Sequence, residues 1–129
     1  MEITLGNPAS APQPLSPYYS QVARVQLADE SALLYLSGQI GEGATLADQS
    51  RAAFETIAAL LDAHGATLAD IINIRTYLTD ISELPEYGAV RSRFLTSTPP
   101  TSMTMEVPKL FRPEARVEIE VVAAVPAST

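Results

Sequence analysis

The sequence predicts an α+β fold in the order β-β-α-β-α-β-β, and three observations carry that assignment. Phe54, Ile57, Ala58 and Leu61 fall at i, i+3, i+4 and i+7, an apolar stripe of helical period. Near the end of the chain, Val117, Ile119, Val121 and Ala123 alternate with Glu118, Glu120, Val122 and Ala124, the period of a strand with two different faces. Two further apolar runs, Ala32–Leu36 and Ile71–Leu78, are short and bounded by turn residues, as strands are.

Residues 1–16 form a proline-rich arm. Pro8, Pro12 and Pro14, with Pro17 just beyond, exclude a regular helix or a central strand there. A single domain then runs over 17–126, with 127–129 as a tail. Gln21–Leu27 and Ala32–Leu36, joined by the turn Ala28-Asp29-Glu30-Ser31, make a β-hairpin. Gly38, Gly41 and Gly43 break the pattern. The long helix spans about Leu46–His64. Thr45 is its N-cap with Asp48 three residues on, and Gly65 is the residue able to turn the chain left-handed at its end. Ile71–Leu78 reads as a buried strand. Pro85, suited to a first helical turn, opens a second helix to Leu95, and Pro99-Pro100 stop the chain before a strand over Ser102–Val107. The final strand is Arg116–Val125. Two helices cover one face of such a sheet, so its other face, with Arg116, Glu118, Glu120, Val122 and Ala124, suits a subunit interface and predicts a homo-oligomer.

Composition narrows the function classes. With no cysteine, thiolate metal sites, iron–sulfur clusters and cysteine nucleophiles are excluded. A net charge of −7 with scattered Lys and Arg opposes nucleic acid and anionic membrane as partners. No apolar run approaches a spanning helix, and the N-terminus lacks a signal-peptide profile, so a cytoplasmic protein is expected. The glycines at 38, 41 and 43 match neither a P-loop nor a dinucleotide fingerprint, and one histidine with scattered carboxylates does not make metal-ligand spacing. No cofactor and no metal are therefore expected. His64, in the last turn of the long helix, is read as a structural residue whose charged form complements the helix dipole.

Glu118 and Glu120 stand roughly 7 Å apart on one strand face, near enough to raise each other's pKa where water is excluded. Proton transfer or water activation needs such a carboxylate. Pairing with Arg75, Arg116 or a neighbouring subunit's cation is the other reading. Arg75 alternates outward with Asn73 and Tyr77, either as a binding cation or as a glutamate's partner. Tyr18-Tyr19 can line a pocket or simply pack against the arm.

Taken together, several segments resemble the RidA (YjgF-type) family of reactive-intermediate imine deaminases. They are Pro17-Tyr18-Tyr19-Ser20-Gln21, Leu36-Ser37-Gly38-Gln39-Ile40-Gly41, Gln49 through Gly65, Asp70-Ile71-Ile72 and Val117-Glu118-Ile119-Glu120, in order from about residue 17 to 125. The resemblance implies a chorismate-mutase-like fold, a homotrimer with clefts between subunits, and cofactor-independent hydrolysis of imines or enamines to carbonyl compounds and ammonia. It implies that Glu120 is the water-handling glutamate, with Ser102 also at the reacting centre. Tyr18 or Tyr19 and the loop Ser37, Gly38 and Gln39 would line the cleft, joined by Arg75, Gly88 and Thr104. The family's carboxylate-gripping arginine is absent, with Ser102 in its place, and a helix asparagine is replaced by Gly88. Losing that clamp should cost on the order of 2–5 kcal/mol of substrate binding. The expected function is thus an enzyme departing from the family pattern. It would act on an imine, enamine or reactive carbonyl intermediate in a biosynthetic pathway, by hydrolysis, tautomerisation, dehydration or cyclisation. A ligand-binding protein without catalysis, and a conventional 2-imino acid deaminase using Arg75 or Arg112, are the alternatives.

Overall fold

A computed structural model describes residues 1–127. The strands are β1 (Glu2–Gly6), β2 (Val22–Gln26), β3 (Ala32–Leu36), β4 (Ile71–Leu78), β5 (Thr101–Glu106) and β6 (Val117–Val125), with helices α1 (Leu46–Asp62) and α2 (Leu84–Phe94). They form one mixed sheet in the order β1-β2-β3-β6-β4-β5, in which β4 and β5 are parallel and every other pair is antiparallel. Both helices lie on one face, as the sequence predicts. The strand β1 is an addition to the predicted order. It occupies the part of the arm before Pro8, where Ile3 and Leu5 alternate with polar residues, and it pairs with β2 at the sheet edge. Of the predicted tail, residue 127 is described and the rest lies outside the described residues.

The helix-facing side of β6 behaves as its alternation requires, since Val117, Ile119, Val121 and Ala123 are all buried. Opposite them α1 buries Phe54, Ile57, Leu60 and Leu61, while α2 contributes Tyr87 and Val90. Phe54 stacks on both Tyr87 and Phe94, at ring-centroid separations of 6.2 and 5.1 Å. The one polar tip in this cluster is satisfied, because the Tyr87 hydroxyl lies 2.6 Å from Thr76 Oγ1 on β4.

Gln49 is a polar residue inside α1 with a structural task. Its amide donates to Gly43 O (3.1 Å) and Glu114 O (3.0 Å), and its Oε1 accepts from Arg116 N (2.8 Å). One side chain thereby ties the glycine loop and the entry to β6 to the first helix. Gln49→Leu, which strands these backbone groups, should cost about 2–4 kcal/mol in urea unfolding; a loss below about 0.5 kcal/mol would show that water replaces it.

Thr45 caps α1 through its side chain, which accepts from Asp48 N at 3.0 Å, and Gly65 takes a φ of 77° beyond the other end. His64 departs from expectation. It lies past the last helical residue, and the cation at this end is Arg24 of β2, whose Nη1 donates to His64 O at 3.0 Å. Burial, and then the Arg24 charge, hold the imidazole below its ordinary pKa, so the neutral ring is favoured and the dipole is complemented by Arg24.

Candidate active site

The uncovered face of the sheet can be read from the strand register. Arg75 stands beside Glu120 and Tyr77 beside Glu118, while Met103 flanks Arg75 from the other side. Tyr35 pairs with Val122 and with Ala23, which leads to Leu5 on β1. Arg75 Nη1 lies 3.7 Å from Glu120 Oε1, with both side chains substantially exposed. An ion pair of that kind contributes little stability.

Four residues anticipated at the cleft lie elsewhere. Ser102 and Thr104 pair in register with Ile74 and Thr76, which point toward the helices, and Ser102 Oγ accepts from Arg91 of α2 at 3.1 Å. They are therefore on the opposite face from Glu120. The open-face positions of β5 are Thr101, Met103 and Met105, and Asn73 Nδ2 donates to Thr101 Oγ1 at 2.9 Å. Gly88 lies on α2, in the helical layer, with open space around it. Gln39 is buried beneath the loop, where its amide bonds to Gln21 and to the Ser37 carbonyl.

What does converge is a recess of about 210 Å³ lined by Leu15, Tyr19, Ser37, Gly38, Ile40, Phe111 and Glu118. Gly38 packs against the Glu118 carboxylate so closely that a Cβ at position 38 would overlap it. No donor among the described residues bonds that carboxylate. Burial raises the Glu118 pKa, and the nearby Glu120 charge raises it further. A larger and somewhat more open recess of about 480 Å³ beside it holds Glu120, Tyr18 and Tyr35, and shares Tyr19 and Ser37. The two tyrosines differ in exposure, and both line the recess that holds Glu120. Tyr18 is 92% exposed, whereas Tyr19 is half-buried and its hydroxyl accepts from Leu15 N at 3.0 Å. Leu15 and Phe111 are lining residues that sequence reasoning missed, since each sits in a proline-flanked loop without periodicity. Arg112 lines a separate recess of about 260 Å³ with Glu42 and Glu114, joined to the first through shared Leu15 and Ile40.

A further recess, about 600 Å³, lies beside the C-terminal end of α1, and Asp62 is its one ionisable lining group. It holds no constellation for chemistry. Among the described residues, no helix is long and apolar enough to cross a membrane.

Sheet, helices and recess together define a class of protein: a two-helix, mixed-sheet domain with a carboxylate of its closing strand held under a Ser-Gly-Gln loop. The chain belongs to the family described as Endoribonuclease L-PSP, the YjgF or RidA family, which it matches over residues 8–125. It is 34% identical over 121 residues to a RutC family protein of Saccharolobus solfataricus, covering 88% of this chain and 90% of that protein. It is 31% identical over 123 residues to a 2-iminobutanoate/2-iminopropanoate deaminase of Dermatophagoides farinae, covering 89% and 91%. Among solved structures, a YjgF-family protein of Mycobacterium tuberculosis superposes with a TM-score of 0.82 at 32% identity, covering 96% of this chain and 100% of that one.

Proposed function

We propose that the chain is an enzyme acting on a reactive imine or enamine, with Glu118 moving the protons and a substrate whose reacting end carries no carboxylate. The observation that carries this reading is the Glu118 carboxylate, desolvated under Gly38 in a recess whose seven lining residues include no cation. A carboxyl group of raised pKa can protonate an enamine carbon or imine nitrogen. As the carboxylate it then takes a proton from the water that attacks the C=N carbon. The carbinolamine collapses as the C–N bond breaks, giving a carbonyl compound and ammonia.

This reading moves the acid–base role from Glu120, where the resemblance put it, to Glu118. Glu120 faces Arg75 and lies in the more open depression. An anionic 2-imino acid is the second reading, favoured by the deaminase-named relative and by the junction between the Arg112 recess and the Glu118 recess. Ammonia release measured on 2-iminobutanoate and on an uncharged aryl imine separates the two. Faster turnover of the anionic substrate, lost in Arg112→Ala, would overturn the uncharged assignment.

Gly38→Ala tests the recess itself. The new methyl must push the flexible Glu118 carboxylate aside while the backbone stays in place. Turnover should fall by roughly tenfold or more, as expected when a reacting group is misplaced by about 1 Å, with little change in melting temperature. An unaltered rate would remove Glu118 from the reacting centre.

The uncovered face carries Ile3, Leu5, Tyr35 and Met105, exposed by 59, 66, 48 and 43%. Large apolar side chains exposed on a face that no helix covers suit burial between copies, and we read the assembly as a homotrimer with Glu118 near the junction. Light scattering should give three times the 13.8 kDa chain mass; a monomer would refute it. The reading does not extend to RNA cleavage. The chain carries a net charge of −7, and three of its eight Lys and Arg side chains already face carboxylates.

A further inference from the structure

We infer that Gln21 and Gln39 are positioning residues of this site: their buried side-chain amides tie the N-terminal arm to the Ser37-Gly38 loop and hold both against Glu118. The inference rests on the reading above only in treating Glu118 as the reacting group.

Gln21 and Gln39 are 2% and 6% exposed, so their amides are costly unless bonded. Gln39 Nε2 donates to Gln21 Oε1 at 2.7 Å and to Ser37 O at 3.0 Å. Gln21 Nε2 reaches back to Pro12 O at 3.3 Å, and Gln21 N donates to Asn7 Oδ1 at 2.8 Å. The Gln21 carbonyl accepts from Ser37 N at 2.9 Å. On the far side, the backbone of Gln39 exchanges two hydrogen bonds with Ile119, at 2.8 and 2.9 Å. Three segments distant in sequence thus meet at one amide pair: the arm, the glycine loop and the closing strand.

Apolar residues of similar volume would fill this space without the desolvation cost. What the amides add is direction, since donor and acceptor geometry admits one arrangement of the loop. The consequence falls on Glu118. Leu15 and Tyr19, the arm residues that line its recess, lie between Pro12 and Gln21, the two points that the Gln21 side chain joins. Gly38 lies between Ser37 and Gln39, both held by the same network. The ionisable groups facing Glu118 are Glu120 on its own strand, Tyr77 across the register on β4 and Tyr19 from the arm, with Arg75 engaged by Glu120. None of them lies in the amide network, so loosening the network admits water without altering nearby charge.

The experiment uses the full-length chain with Gln21→Leu, Gln39→Leu and the milder Asn7→Ala, which removes only the arm's acceptor for Gln21 N. Carbon-detected NMR titration reads the Glu118 carboxyl, and amide hydrogen exchange reads Ser37, whose N–H donates to the Gln21 carbonyl, with Ile74 as a core reference. The Glu118 midpoint should fall toward the ordinary carboxylate value. Ser37 should exchange roughly tenfold faster, the effect of one lost hydrogen bond on a local opening, while Ile74 stays protected. A folded variant that keeps both the midpoint and the loop exchange of the native chain would overturn the inference. A native midpoint at the ordinary value would instead overturn Glu118 as the reacting group, and the exchange rates alone would then decide the clamp. Asn7→Ala supplies the answer if the leucine variants fail to fold.

Discussion

Glu118→Gln should lower turnover by roughly two to four orders of magnitude, the usual contribution of a positioned acid–base group, and should also raise thermal stability at neutral pH. The two effects have one cause. Burial beneath Gly38, and then the Glu120 charge, make the ionised form of Glu118 unfavourable in the folded chain. Its folded pKa therefore lies above the ordinary 4.5 at which it titrates when unfolded. Across the window from 4.5 up to the folded value, the native state holds a proton that the unfolded state has released. Stability thus falls as pH rises through that window, and the cost is fully present above it. Glutamine has the same shape and no charge, so it removes the cost at pH 7 and nothing below pH 4.5. Melting temperatures of the native chain and the variant should converge in acid and separate at neutrality. Glu120→Gln, whose partner Arg75 is exposed, should change both quantities less. If Glu120→Gln proves the more damaging of the two, the acid–base role belongs to Glu120.

Phe54→Ala is expected to have the largest effect on stability, a loss of about 3–5 kcal/mol and of roughly 10–20 °C in melting temperature. Phe54 is fully buried and is the ring against which both Tyr87 and Phe94 stack, so its removal leaves a cavity where α1, α2 and β4 meet. The loss is a large share of the 5–15 kcal/mol that holds a domain together. Phe111→Ala is the contrast. That ring is 66% exposed and should cost less than about 0.5 kcal/mol while altering the Glu118 recess. Chemical denaturation of the two variants side by side measures the difference, and a Phe54→Ala loss under about 1 kcal/mol would mean that the cluster collapses to fill the void.

The elements that the sequence revealed are those whose pattern is local. The stripe of α1, the turn at Gly65, the strand Ile71–Leu78 and the alternation of β6 all stand where periodicity and capping put them. A helix or strand that buries one face writes that face into its own residues. The edge strand β1 was less legible, because five residues with two apolar side chains become a strand only when β2 offers an unpaired edge. The prolines that follow obscured it further.

The site was legible only in part. Ser37, Gly38 and Tyr19 do gather at one recess with a glutamate of the final strand. Ser102 and Thr104 were displaced by a single register step, which carries a side chain through the sheet to its other face. Glu118 and Glu120 could not be ranked from spacing, because a period of two gives them the same face.

By itself, then, the sequence determined the two-layer fold, the core face of each long element and the face on which two carboxylates stand. Only the tertiary structure decided that Gly38 is pressed against Glu118, that Arg75 faces Glu120, and that Leu15 and Phe111 enclose the recess. Those contacts join loops and strands distant in the chain, and desolvation is a property of what surrounds a carboxylate in space rather than of its neighbours in sequence.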